Sequence, residues 1–115
     1  MSDVVVTLPL SFGLDRWIDE GDGAGDPWTG QLWDFSTSGR PRIEPGERVY
    51  VVHAGKLRGY APLVKIEYDG TRTHLVRGGE AVAVTIDEHI PGFWGYRYRW
   101  WQREIERPFP EWSNT

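Results

Sequence analysis

Residues 45–68 read PGERVYVVHAGKLRGYAPLVKIEY, and the fold is decided in this stretch. Pro45-Gly46 is a turn signal, because proline presets the first central position of a tight turn and glycine accepts the second. Arg48 to His53 (RVYVVH) is β-branched and aromatic, which predicts a strand. Tyr60 to Tyr68 (YAPLVKIEY) predicts its partner, with Ala54 to Gly59 (AGKLRG) as the connection. Within that partner Val64, Ile66 and Tyr68 alternate with Leu63, Lys65 and Glu67, a period of two that fits a strand with one buried face.

Toward the N-terminus, Val4 to Leu8 predicts a first strand, and Leu14, Trp17 and Ile18 form one apolar stripe of a short helix over Asp15 to Glu20. Residues 21–30, GDGAGDPWTG, hold four Gly and one Pro and read as a loop. Leu32, Trp33 and Phe35 mark a short extended piece. Toward the C-terminus, His74 to Val76 and Ala81 to Ile86 predict further strands. Phe93 to Trp101 predicts a last one, in which Tyr96, Tyr98 and Trp100 alternate with Arg97, Arg99 and Trp101. Gln102 to Arg107 reads as a short helix or coil, and Pro108-Phe109-Pro110 ends regular structure. The expectation is one domain over residues 1–115, mainly β with one or two short helices (α+β), arranged as a small barrel of about six strands.

Composition narrows the classes. With no cysteine, neither a disulfide framework nor a thiolate zinc site is available. The apolar run at the N-terminus is broken by Thr7, Pro9 and Ser11, far short of the ~20 residues of a membrane span, so a cytoplasmic, non-membrane protein is expected. A net charge of −4 argues against coating nucleic acid through bulk electrostatics. The charge is uneven, however: residues 1–50 carry nine acids against four arginines, and residues 51–115 eight acids against nine Lys or Arg. A locally basic patch in the second half is therefore compatible with an acidic total. Arg outnumbers Lys by 11 to 2, which suits planar stacking contacts and is equally what a GC-rich genome produces.

The order strand, short helix, Gly-rich loop with a Trp, Pro-Gly-Glu turn, strand ending in His, glycine-led strand resembles EVE-type members of the PUA-like β-barrel group, which also includes the ASCH domains. The likeness is carried by Ser11, Trp28-Thr29-Gly30, Pro45-Gly46-Glu47, Val52-His53 and Gly59-Tyr60-Ala61, within residues 4–68. After Gly30 the chain reads Gln31-Leu32-Trp33 where the family carries Val-Arg-Asn. The resemblance implies a nucleic-acid binding module without a cofactor, taking a single-stranded or flipped base, modified or not, in an aromatic pocket. That pocket would be built from Ser11, Trp28, Gly30, Trp33 and His53, with the two Trp rings as stacking faces. The competing structural reading is that both rings cap the open end of the barrel.

Lys56 and Arg58 fall on AGKLRG, where a protruding turn would grip a phosphate backbone; exposed turns are also basic for solubility. Arg97, Arg99 and Arg103 share a face if the last strand runs on to residue 103, with Trp101 between them, and such interleaving is what a nucleic-acid groove uses. The same arginines would serve equally to pair with the acidic N-terminal half. Two other function classes remain. One is an ASCH-type hydrolase of RNA or nucleosides with His53 as acid or base. The other is an interaction domain using the acidic half and the PFPEW tail (Pro108 to Trp112). Asp87-Glu88-His89 is the densest group of metal-ligand types, but adjacent residues at a strand end cannot all face one ion, so no metal site is assigned. GKLRG lacks the spacing of a nucleotide phosphate loop, and no nucleophile elbow or triad spacing occurs, so no catalytic residue is assigned.

Overall fold

The computed structural model describes residues 2–7, 34–37, 41–68, 70–77, 82–93 and 95–108. The strands are β1 (Val4–Thr7), β2 (Asp34–Thr37), β3 (Arg48–His53), β4 (Lys56–Tyr68), β5 (Thr73–Arg77), β6 (Val84–Thr85), β7 (Tyr96–Tyr98) and β8 (Arg107–Pro108), with a 3-10 turn at Arg103–Ile105. Six of them form one sheet in the order β2-β5-β4-β3-β1-β7, and β6 pairs with β8 separately. β1 runs parallel to β3, with Val4 opposite Val49 and Val6 opposite Val51, and antiparallel to β7.

The valine-rich runs of β1 and β3 lie inside the sheet, away from its edges, where both faces are covered, and a strand covered on both faces must be apolar at successive positions. On one side of the sheet Val4, Val6, Val49, Val51, Ala61, Leu63 and Leu75 pack with Ile43. On the other side Val5, Tyr50, Val52 and Leu57 pack beneath Ile86, Ile90 and Trp101. Each fully buried valine or leucine contributes about 1.5–3 kcal/mol relative to exposure, which makes these two layers the main stabilising term.

Two turns frame β3. Glu44 to Glu47 closes through a 3.0 Å bond from the Glu47 N–H to the Glu44 carbonyl, with Gly46 at φ +94° as the proline-glycine signal requires. At the other end β3 reverses into β4 through Ala54 and Gly55 alone, both at positive φ (54° and 81°), and His53 pairs with Lys56 across them. This is the mirror-type two-residue turn that matches strand twist and favours Asn-Gly. Alanine in the left-handed region is strained, so Ala54→Asn is expected to raise unfolding free energy by about 0.5–1 kcal/mol. An unchanged or lower urea midpoint would contradict that.

Several sequence expectations are corrected. AGKLRG is not a six-residue connection: Lys56, Leu57 and Arg58 already belong to β4, and the register shift between Val51 and Val52 places Arg58 at a bulge. Val64, Ile66 and Tyr68 are not a buried face, because β4 extends past the end of β3 and residues 64–68 are all exposed. Ala81 to Ile86 shortens to Val84–Thr85 plus a bridge from Val82 to Tyr60, and Phe93 to Trp101 shortens to Tyr96–Tyr98. Among the described residues there is no α-helix, and the expected helix at Asp15 to Glu20 lies outside them. The domain is mainly β, as expected. The expected small barrel of about six strands is a curled, open half-barrel, since among the described residues β2 and β7 are the edges and do not pair.

Candidate ligand-binding surface

Alternation along β3 sends Arg48, Tyr50 and Val52 to one side of the sheet, and the antiparallel register sets Tyr60 of β4 directly opposite Tyr50. The rings of Tyr50 and Tyr60 lie 5.2 Å apart, and Trp101 meets Tyr50 edge-on at 5.1 Å. The Arg48 guanidinium lies 4.0 Å above the Tyr60 ring. Glu106, its side chain only 7% exposed, closes the group. Its carboxylate accepts the Tyr50 hydroxyl at 2.5 Å, the Trp101 indole N–H at 2.8 Å and an Arg48 N–H at 3.2 Å. Burial, and then the adjacent Glu106 carboxylate, push the Tyr50 phenol far above its ordinary value against the opposing pull of Arg48, so it stays protonated at any physiological pH. Tyr50 is thus a fixed donor to Glu106.

Outside this sealed group the aromatic cluster continues to the surface. Trp100 packs edge-on against Trp101 at 4.9 Å, is 41% exposed, and its indole N–H is held by Glu88 at 3.1 Å from each carboxylate oxygen. Arg97, exposed on β7, stacks on Phe93 at 4.6 Å and lies 6.0 Å from the Trp100 ring centre. A flat aromatic face beside a planar cation can stack on another planar, electron-rich group.

A second buried hub fixes the strand entering this surface. Asp3, with its side chain 1% exposed, accepts the Arg48 backbone N–H at 2.9 Å, Arg99 Nε at 2.9 Å and an Arg103 terminal N–H at 2.8 Å. Burial alone would raise the Asp3 carboxyl, but these hydrogen bonds outweigh it and hold the group below its ordinary value. Arg99 also donates to the Trp101 carbonyl.

The residues expected at a site therefore separate. Arg97 is exposed on β7, whereas Arg99 and Arg103 are both paired with Asp3, Arg103 while still 46% exposed, which corrects the shared basic face: the chain leaves the strand after Tyr98 and the alternation ends there. Trp101 is buried and does not lie between exposed arginines. His53 ends β3 as expected and is half-buried, with Lys56 exposed beside it. Arg58 is 2% exposed and unavailable to a phosphate backbone, because the bulge turns it into the protein. Ser11, Trp28, Gly30 and Trp33 lie outside the described residues. Among the described residues no group of three or more His, Asp or Glu could hold a metal ion, and no helix is long and apolar enough to cross a membrane.

Comparison with protein-family models, with curated proteins and with solved structures gives no match.

The sequence reading missed Arg48, Tyr50, Tyr60, Glu106 and Asp3. RVYVVH does carry a signal for two of them, since residues two apart on a strand share a face. Glu106 left none: it stands 56 positions from Tyr50, and only the tertiary fold joins them.

Proposed function

We propose that this domain binds single-stranded nucleic acid, stacking a base against Trp100 with Arg97 beside it. The reading rests on one observation: Trp100 and Arg97 are exposed side by side, while Arg48, Arg99 and Arg103 are engaged by Asp3 and Glu106. A stacking aromatic next to an unburied guanidinium is the pattern by which proteins hold bases without reading sequence. Glu88, already accepting from the Trp100 N–H, lies where a base amino group would find an acceptor. The resemblance of residues 4–68 to the PUA-like group adds a second element to the proposal, a base pocket of Ser11, Trp28, Gly30, Trp33 and His53.

The test is fluorescence anisotropy of labelled single-stranded DNA and RNA oligonucleotides at low salt. Trp100→Ala is expected to weaken binding about 5- to 150-fold, the range for losing one stacked base. Arg97→Ala is expected to lower the slope of log affinity against log salt by about 0.7, one phosphate's worth. Weakening by Trp28→Ala or His53→Ala would support the pocket. Absence of binding to any oligonucleotide at low salt, or unchanged binding by Trp100→Ala, would defeat the stacking reading.

A further inference from the structure

The far end of β4 has no role in the surface described above. β3 lies alongside β4 only as far as Pro62, and Gly46 and Glu47 bond to Leu63, so among the described residues 64–68 has a strand, β5, on one side only. The side chains of this stretch, V-K-I-E-Y, are exposed on both faces, with Val64 at 53%, Ile66 at 38% and Tyr68 at 48%. Lys65 and Glu67 share one face, 3.7 Å apart and each more than half exposed. An open strand edge of this length is a template for another strand.

We propose that this edge pairs with the same edge of a second copy of the chain, antiparallel about a two-fold axis at Ile66. The charge order specifies that occupant and that register. With Ile66 opposite Ile66 of the second copy, each Lys65 faces Glu67 of the other chain, and each Val64 faces Tyr68 on the opposite sheet surface. Cross-strand pairs of opposite charge and of apolar residues are the stabilising contacts of an antiparallel pair. Sliding two residues one way sets Lys65 against Lys65, and two residues the other way sets Glu67 against Glu67. A slide of one residue moves the charges to the apolar surface. The two-fold register is therefore the one in which every charge is matched, as a self-complementary interface requires. The pairing extends the sheet from β4 and leaves Trp100 and Arg97 untouched, so it stands apart from the oligonucleotide reading.

Sedimentation equilibrium tests it. The mass is expected to rise from 13.2 kDa toward twice that value between about 10 μM and 1 mM protein, the weak range fitting so small an interface. Lys65→Glu alone and Glu67→Lys alone are each expected to weaken association about 10-fold or more, because every cross-pair becomes like-charged. Both positions are exposed, so folding is preserved, which circular dichroism verifies. Two further samples isolate the register: the doubly swapped chain (Lys65→Glu with Glu67→Lys), and an equimolar mixture of the two single variants. In both, each acid again faces a base, and association is expected to return to the wild-type level. A wild-type chain that stays monomeric to about 1 mM overturns the proposal. So do single variants that associate as the wild type does, or a mixture that fails to associate.

Discussion

Asp3→Ala is expected to lower the unfolding free energy by about 3–5 kcal/mol, since it leaves buried donors facing an empty acceptor position. The carboxylate is the common acceptor of the Arg48 backbone N–H and of the Arg99 and Arg103 guanidinium groups. The Arg48 N–H and the largely covered Arg99 guanidinium, 23% exposed, lose an acceptor that little water can replace, whereas Arg103, 46% exposed, can turn to solvent. Measured by urea at neutral pH, the midpoint should fall by about 2 M, given slopes near 1–3 kcal/mol per molar for small domains. A fall below about 0.5 M would show that the hub is not structural. Arg103→Ala is the control: its side chain is 46% exposed, so its loss should cost about 1 kcal/mol or less.

The same hub sets a pH dependence. The folded-state pKa of Asp3 lies below its ordinary value, so the native state holds fewer protons than the unfolded state in that window. Its contribution is then complete above the unfolded pKa of about 3.9 and is lost as pH falls through the depressed folded value. Wild type should lose stability faster than Asp3→Asn as the pH is lowered below about 4. Parallel acid curves would contradict the assignment.

Glu106→Ala is expected to have an effect of similar size, about 3–5 kcal/mol, through a different set of orphaned groups. The Tyr50 hydroxyl and the Trp101 indole N–H would each lose their carboxylate acceptor, and Arg48 its ion pair. Much of that cost is the burial of unpaired donors rather than the worth of the bonds. Tyr50→Phe removes one of those donors, so the double variant Tyr50→Phe/Glu106→Ala should be more stable than the sum of the single effects predicts, by about 1–3 kcal/mol. Strict additivity would mean that Tyr50 and Glu106 do not interact. Because Trp101 supports Trp100 edge-on, Glu106→Ala should also alter tryptophan emission.

How much of this was legible depends on the range of the interaction involved. RVYVVH gave its strand with both ends, and Pro45-Gly46 gave its turn, because each rests on backbone preferences of a few adjacent residues. AGKLRG was misjudged because Ala54 adopts a left-handed conformation that alanine disfavours, so the tight turn is hidden behind a residue that does not announce it. The period-two pattern of Val64, Ile66 and Tyr68 was correct as a strand signal and misleading as a burial signal, since no local feature says where the neighbouring β3 stops. At the candidate site, Arg97 was legible as an exposed strand arginine. Arg99, two residues on, carries the same local signal and yet turns inward to an acid 96 positions earlier.

The sequence by itself determined that this chain is mainly β, where its central strands run, and that the second half holds arginines and aromatics in alternation. Tertiary structure alone decided which face of each strand is covered, that among the described residues the sheet stays open, and which arginines are paired with acids. The physical reason is that strand formation follows from local conformational preference, whereas burial and charge pairing depend on partners brought together across the chain. Asp3 and Glu106 act at that second level: they take up Arg48, Arg99 and Arg103 and leave Arg97 beside Trp100.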